Sequence, residues 1–196
     1  MAEDSSAQHP FYIGITGGAG STTWDGLVPA KRNQSVALSF STPIKADEGG
    51  AVWGAFAGFE LSPYFAIEGS YTKYPDATLT FDPTSLFTFE NNERLGFTSE
   101  TMTLSLMAKL MIFIPHTSTR LYSSIGVASL NRKDLLVDDW MLTPTFGIGL
   151  NHNFTPHIMG ELGGNFTAGY GESHLNPALL YYPFLYAGFI RLAYRF

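Results

Sequence analysis

The chain has 196 residues, 11 basic against 17 acidic, a net charge of −6 and no cysteine. That length suits one domain. The missing cysteine excludes disulfides and thiolate-ligated metals, and the acidic balance speaks against a nucleic-acid partner. Charged residues make up 14% of the chain, against roughly 25% in soluble domains. Aromatics reach 15%, with 20 glycines, so the outer surface is expected to meet something other than water. No apolar run reaches the roughly 18 residues of a transmembrane helix, so a membrane-spanning form must close its backbone hydrogen bonds as a barrel. The start, Met1-Ala2-Glu3-Asp4-Ser5-Ser6, has no apolar run and is no signal peptide. The sequence is therefore read as a mature form with an added Met, which an unprocessed Met1 on the natively exported protein would refute.

Alternation with period two organises the rest, and it predicts strands with two different faces. The first strand runs from Phe11 to about Trp24, with Phe11, Ile13 and Ile15 on one face. The second covers about Gly50–Leu61, where Ala51, Trp53, Ala55, Ala57, Phe59 and Leu61 oppose Val52, Gly54, Phe56, Gly58 and Glu60. The third is Phe65–Tyr74, with Phe65, Ile67 and Tyr71 opposite Ala66, Glu68 and Thr72. The fourth, Ser99–Ile114, sets Leu104, Leu106, Leu110 and Ile112 against Thr103, Ser105, Met107, Lys109 and Met111. The fifth, Thr119–Leu130, sets Leu121, Ile125 and Val127 against Arg120, Tyr122 and Gly126. The sixth is Met141–Phe154, the seventh Ile158–Thr167, with Glu161 opposite Leu162, and the eighth Phe184–Phe196, with Arg191 and Arg195 opposite Ile190, Leu192 and Tyr194.

Three connections are tight and proline-marked: Ser62-Pro63-Tyr64, Pro115–Ser118 and Thr155-Pro156-His157. Four are longer, roughly Asp25–Glu48, Pro75–Phe97, Asn131–Trp140 and Ala168–Pro183. They total −5, and Val36–Phe40 in the first could extend a hairpin or form a plug. Short turns at one end and long loops at the other predict an all-β, eight-stranded antiparallel up-and-down transmembrane β-barrel, with periplasmic turns and four extracellular loops. Residues 1–10 read as a flexible tail and residues 11–196 as the barrel.

Alternation alone does not say which face points outward; the charges do. Glu60, Glu68, Lys109, Arg120, Glu161, Arg191 and Arg195 all fall opposite the apolar face, in the half near the short turns. On a lipid face an Arg or Lys at the midplane costs about 2–4 kcal/mol, whereas in a narrow lumen these groups can pair. Aromatics form two bands, as interfacial girdles do. Phe11, Tyr64, Phe65, Phe113, Phe154, Tyr194 and Phe196 lie near the turns; Trp24, Trp53, Tyr71, Tyr74, Trp140, Phe166, Phe184 and Tyr186 lie near the loops. A soluble ligand-binding barrel is the fold alternative, and purification as a stable monomer without detergent would favour it.

The last strand, Tyr186–Phe196, ends in Phe after alternating apolar residues, and the first opens Phe11-Tyr12-Ile13-Gly14-Ile15-Thr16-Gly17-Gly18-Ala19-Gly20. Both resemble the OmpA-like and opacity-type eight-stranded barrels of bacterial outer membranes. The resemblance implies that Leu192, Tyr194 and Phe196 belong to the signal read by the barrel assembly machinery. It also implies that Glu60, Glu68, Lys109, Arg120, Glu161 and Arg191 block the lumen. Partners implied are outer-membrane lipid and lipopolysaccharide, with a surface or host ligand through the loops.

No cofactor, metal or catalytic set is expected. His116-Thr117-Ser118 has the spacing of a lipid A deacylase motif, but it falls in a periplasmic turn with no carboxylate nearby in sequence, and acyl hydrolysis needs an oriented base. Glu172-Ser173-His174 are adjacent residues on a loop. His152 and His157 flank one turn, and two ligands do not fill a metal site; Asp134, Asp138 and Asp139 read as solvated loop acids. The leading expectation is a non-enzymatic barrel that displays loops, with a structural or adhesive role. A small gated pore or apolar-solute conduit is the alternative, and a lipid A-modifying hydrolase comes third.

Overall fold

A computed structural model describes residues 9–24, 43–82, 96–135, 137–170 and 181–196. The strands are β1 (Phe11–Thr22), β2 (Lys45–Asp47), β3 (Gly50–Ser62), β4 (Phe65–Lys73), β5 (Ala77–Thr80), β6 (Gly96–Phe113), β7 (Thr119–Lys133), β8 (Asp138–Asn153), β9 (Ile158–Thr167) and β10 (Leu185–Arg195). Eight of them, all but β2 and β5, pair antiparallel with their neighbours in chain order, and β1 pairs with β10 to close the barrel. The seam is continued by Phe196 N–H donating to the Phe11 carbonyl at 2.9 Å, and on the other side of β1 Glu60 N–H donates to the Pro10 carbonyl at 2.8 Å.

The alternation is sorted as the charges imply. Along β10, Tyr186, Ile190, Leu192 and Tyr194 are exposed, while Ala187, Phe189, Arg191, Ala193 and Arg195 are buried. Ile15, Leu142 and Ile190 are 67–70% exposed, yet Glu60, Lys109 and Arg120 are at most 5% exposed. Water would oppose that inversion by about 1.5–3 kcal/mol for each large apolar side chain left outside. A hydrocarbon solvent removes the opposition, and the polar interior then follows.

Inside, glycines make room for tyrosines that lie across the lumen. A Cβ on Gly58 would strike the Tyr12 ring, and one on Gly149 or Gly163 would strike the Tyr122 hydroxyl. Pro144 in β8 has no N–H to give β9. Ala168 N–H donates to the Pro144 carbonyl, and the Thr143 hydroxyl donates to the Ala168 carbonyl that proline leaves unserved.

Several expectations shift. β6 begins three residues earlier than expected, β7 runs on to Lys133 and β8 starts at Asp138, because β7 and β8 continue as a ribbon paired up to Lys133 with Asp138. Two segments expected to be loops hold short strands, β2 and β5, which extend the sheet beside the upper part of β6. Ala77 and Leu79 are buried while Thr78 is exposed, so β5 carries a period-two pattern that four residues made too short to stand out. Trp24 and Tyr74 do not join the outer girdle. Each is 1% exposed and points inward, because inward space near the loops is apolar. Val36–Phe40 and Glu172-Ser173-His174 lie outside the described residues.

Candidate functional site

The periplasmic half of the lumen holds two stacked ionic layers. Next to the short turns, Arg120 clamps Glu60 through both terminal nitrogens, Nη2 to Oε1 at 2.7 Å and Nη1 to Oε2 at 3.1 Å. Arg195 donates to the same two carboxylate oxygens. One step further in, Lys109 sits between Glu68 at 2.9 Å and Glu161 at 2.7 Å, and Arg191 spans the same two carboxylates at 2.7 and 3.5 Å. Cations and carboxylates thus alternate around a ring. The ladder register sets one side of it and ties it to the other layer: Arg191 is the cross-strand partner of Glu161, Glu161 of Asn151, and Asn151 of Arg120.

Neutral groups complete the network. Asn151 links the layers, its Oδ1 accepting from Arg120 at 3.0 Å and its Nδ2 donating to Glu161 at 2.9 Å. The Tyr12 hydroxyl donates to Glu68 at 3.0 Å. Lys109 lies 4.3 Å from the Tyr122 ring centre, and Arg191 lies 4.1 Å from that of Phe189 and 4.8 Å from that of Phe56. Charge-assisted bonds of this kind are roughly twice as strong as neutral ones, and removing one partner strands the other in a low dielectric.

The extracellular end holds a different set of side chains. Trp24, Ala77, Leu79, Phe81, Phe97 and Tyr181 form one buried cluster. Arg132 stacks on Trp24 at 4.8 Å, donates to the Tyr181 carbonyl at 2.7 Å and pairs with Asp134 at 2.6 Å. Glu48 accepts from the Trp24 backbone N–H at 2.7 Å and from the Thr22 hydroxyl. Between the ends, inward threonines such as Thr16, Thr103 and Thr145 are interleaved with a second buried apolar cluster that includes Val52, Tyr74, Leu130 and Leu185.

Glu60, Glu68, Lys109, Arg120, Glu161 and Arg191 are therefore placed together, in two layers. Arg195 belongs with them. It was legible on the inward face four residues after Arg191, but the family-implied cluster omits it. Tyr12 and Asn151 gave no signal, since a neutral inward residue declares no partner. Leu192, Tyr194 and Phe196 face outward. His116 occupies a turn with φ 64°, and the Thr117 hydroxyl closes that turn by donating to Ile114 O at 2.9 Å. His152 bonds Thr119 at 2.9 Å, whereas His157 stacks on Tyr194 and meets His9. Among the described residues no three potential ligands gather for a metal. Asp134 turns inward to Arg132, and Asp138 pairs with Lys133 at 3.7 Å, so these loop acids serve local ion pairs.

Residues 1–180 match the outer membrane protein beta-barrel domain family. The chain belongs to that family. No curated protein matches it significantly. Among solved structures, it resembles Neisserial surface protein A at 10% identity and a TM-score of 0.56, covering 95% of this chain and 97% of that one. The outer membrane protein OprG of Pseudomonas aeruginosa gives 9%, 0.54 and 96% of each chain. The N-terminal β-barrel domain of Pseudomonas aeruginosa OprF gives 14%, 0.51, 94% of this chain and 97% of that one. At such identities the likeness speaks for the fold. This is a bacterial outer-membrane barrel, and its apolar outer face meets lipid.

Proposed function

We propose that this barrel is a non-enzymatic outer-membrane anchor with a plugged lumen, built to hold its extracellular segments in place for a structural or adhesive role. The observation that carries the reading is closure at both ends. Seven charged side chains, each at most 6% exposed, fill the periplasmic half, and a packed aromatic cluster fills the other. An eight-stranded lumen is only wide enough for side chains to fill. Lipopolysaccharide around the rim, a surface ligand at the loops and the barrel assembly machinery at β10 are the partners this reading implies. Single-channel recording of the refolded protein tests it: silence or rare small events support the plug. A second reading, a small gated pore, draws on the inward hydroxyls of Thr16, Thr103 and Thr145 between the two ends. Frequent, well-defined openings altered by Lys109→Gln or Glu68→Gln would put that reading first. Deleting Phe196 should lower surface levels in cells, and unchanged levels would remove the assembly role given to the terminal strand.

A further inference from the structure

The two ionic layers do not carry the same charge. In the inner one Lys109 and Arg191 balance Glu68 and Glu161. In the layer beside the turns two guanidinium groups share the single carboxylate of Glu60, with all three side chains at most 2% exposed. Among the described residues that leaves one buried positive charge without a paired carboxylate. The balanced layer has no carboxylate to spare. The neighbouring Phe113 and Tyr12 rings, 5.8 and 5.9 Å from Arg120 and Arg195, carry no net charge. A buried charge without a counter-charge is strongly disfavoured.

A second observation points the same way. The clamp on Glu60 uses the terminal nitrogens of both arginines, so each Nε–H is left on another edge. The Nε atoms of Arg120 and Arg195 are buried and have no hydrogen-bond partner among the described residues, as is also true of Arg191 in the balanced layer. Only in the turn-side layer does a spare donor coincide with surplus positive charge, on Arg120 and Arg195, each beside the end of its strand.

We propose that this layer binds one small inorganic anion of the halide class, against the Nε–H edges of Arg120 and Arg195. A monatomic anion fits a lumen already filled by side chains and accepts hydrogen bonds from any direction. A larger oxyanion would need more donors and more room. The bound halide neutralises the layer and completes the closure at the periplasmic end. The site stands whether or not the lumen conducts, since it depends on the charge count and the spare donors of that one layer.

The test uses the full chain refolded in detergent, melted at constant ionic strength in sodium chloride, bromide or gluconate. A saturable rise of several degrees with either halide over gluconate is expected. Arg120→Met or Arg195→Met leaves Glu60 with one partner, and each should lose the halide dependence. Crystals soaked in bromide should show anomalous density within hydrogen-bond distance of one of the two Nε atoms. Equal melting in halide and gluconate would overturn the proposal, as would halide dependence that survives in both Met variants, or bromide found only outside the lumen. Halide dependence that emerges only in the Glu3→Gln, Asp4→Asn variant would overturn it too, by showing that the chain supplies its own counter-charge.

Discussion

The two ends of the lumen are filled differently, one by paired ions and the other by apolar packing. At the periplasmic end Glu60 is held by residues 60 and 135 positions away in sequence, on β7 and β10. At the extracellular end Trp24, Phe81 and Tyr181 exclude water as an ordinary apolar core does, and the buried Arg132–Asp134 pair is local, two residues apart. The ionic end works only if every member is in place, because each depends on a partner across the barrel. The apolar end degrades by degrees, since packing losses scale with the volume removed.

Breaking the ionic end should therefore have the largest effect. Glu60→Ala strands two buried arginines, and a loss of about 3–5 kcal/mol is expected, read as the urea midpoint in lipid vesicles. Replacing Glu60, Arg120 and Arg195 together with leucine should recover most of that loss, because the missing partner, not the missing charge, sets the cost. A triple variant as unstable as Glu60→Ala would show that the pairs themselves stabilise the fold.

At the other end, Trp24→Ala removes the largest member of the cap. Truncating a buried Trp costs about 3–5 kcal/mol, but here the damage should stay local. Hydrogen exchange should rise in β5 and the upper part of β6, while the urea midpoint of the barrel moves little. A global shift equal to that of Glu60→Ala would mean that cap and barrel fold as one unit.

Gly58→Ala probes the same contrast by adding bulk. The new Cβ meets the Tyr12 ring, so Tyr12 must move and Glu68 loses the hydroxyl that donates to it at 3.0 Å. Overpacking of this kind costs about 1–3 kcal/mol. Combined with Tyr12→Ala, the penalty should fall below the sum of the two single variants, since the residues touch. Strict additivity would show that Tyr12 is not what the methyl meets.

The contrast between the ends also explains what could be read from sequence. Barrel strands were legible because their two solvents, lipid and lumen, force a period-two pattern over about ten residues; β9 appears within the bounds its pattern gives. The inward charges were legible for the same reason, since Lys109 amid Met107 and Met111 can face only one way. Pairing was not, because which carboxylate meets which cation depends on register around the closed sheet. Nor was the cap: Trp24 and Tyr74 look like girdle residues until the strand ends are known, and β5 is four residues long. Local sequence reports the solvent on each face, but not which distant strand stands opposite.

The smallest effect should come from the ion pairs outside the lumen. Lys73 reaches Asp76 at 3.1 Å and Glu100 at 2.9 Å, distances like those of Lys109, but the two carboxylates are about half exposed. Water screens such pairs and side-chain entropy offsets them, so Lys73→Gln should cost less than about 1 kcal/mol. That cost should vanish in high salt, because exposed charges are screened within about 3 Å at 1 M. Glu60→Ala should remain costly at the same ionic strength in sodium gluconate, because an oxyanion of that size does not replace the buried carboxylate between its two arginines. If the two variants instead lost stability equally and responded alike to salt, burial would not be what separates them, and the lumenal network would be one more set of surface-strength pairs.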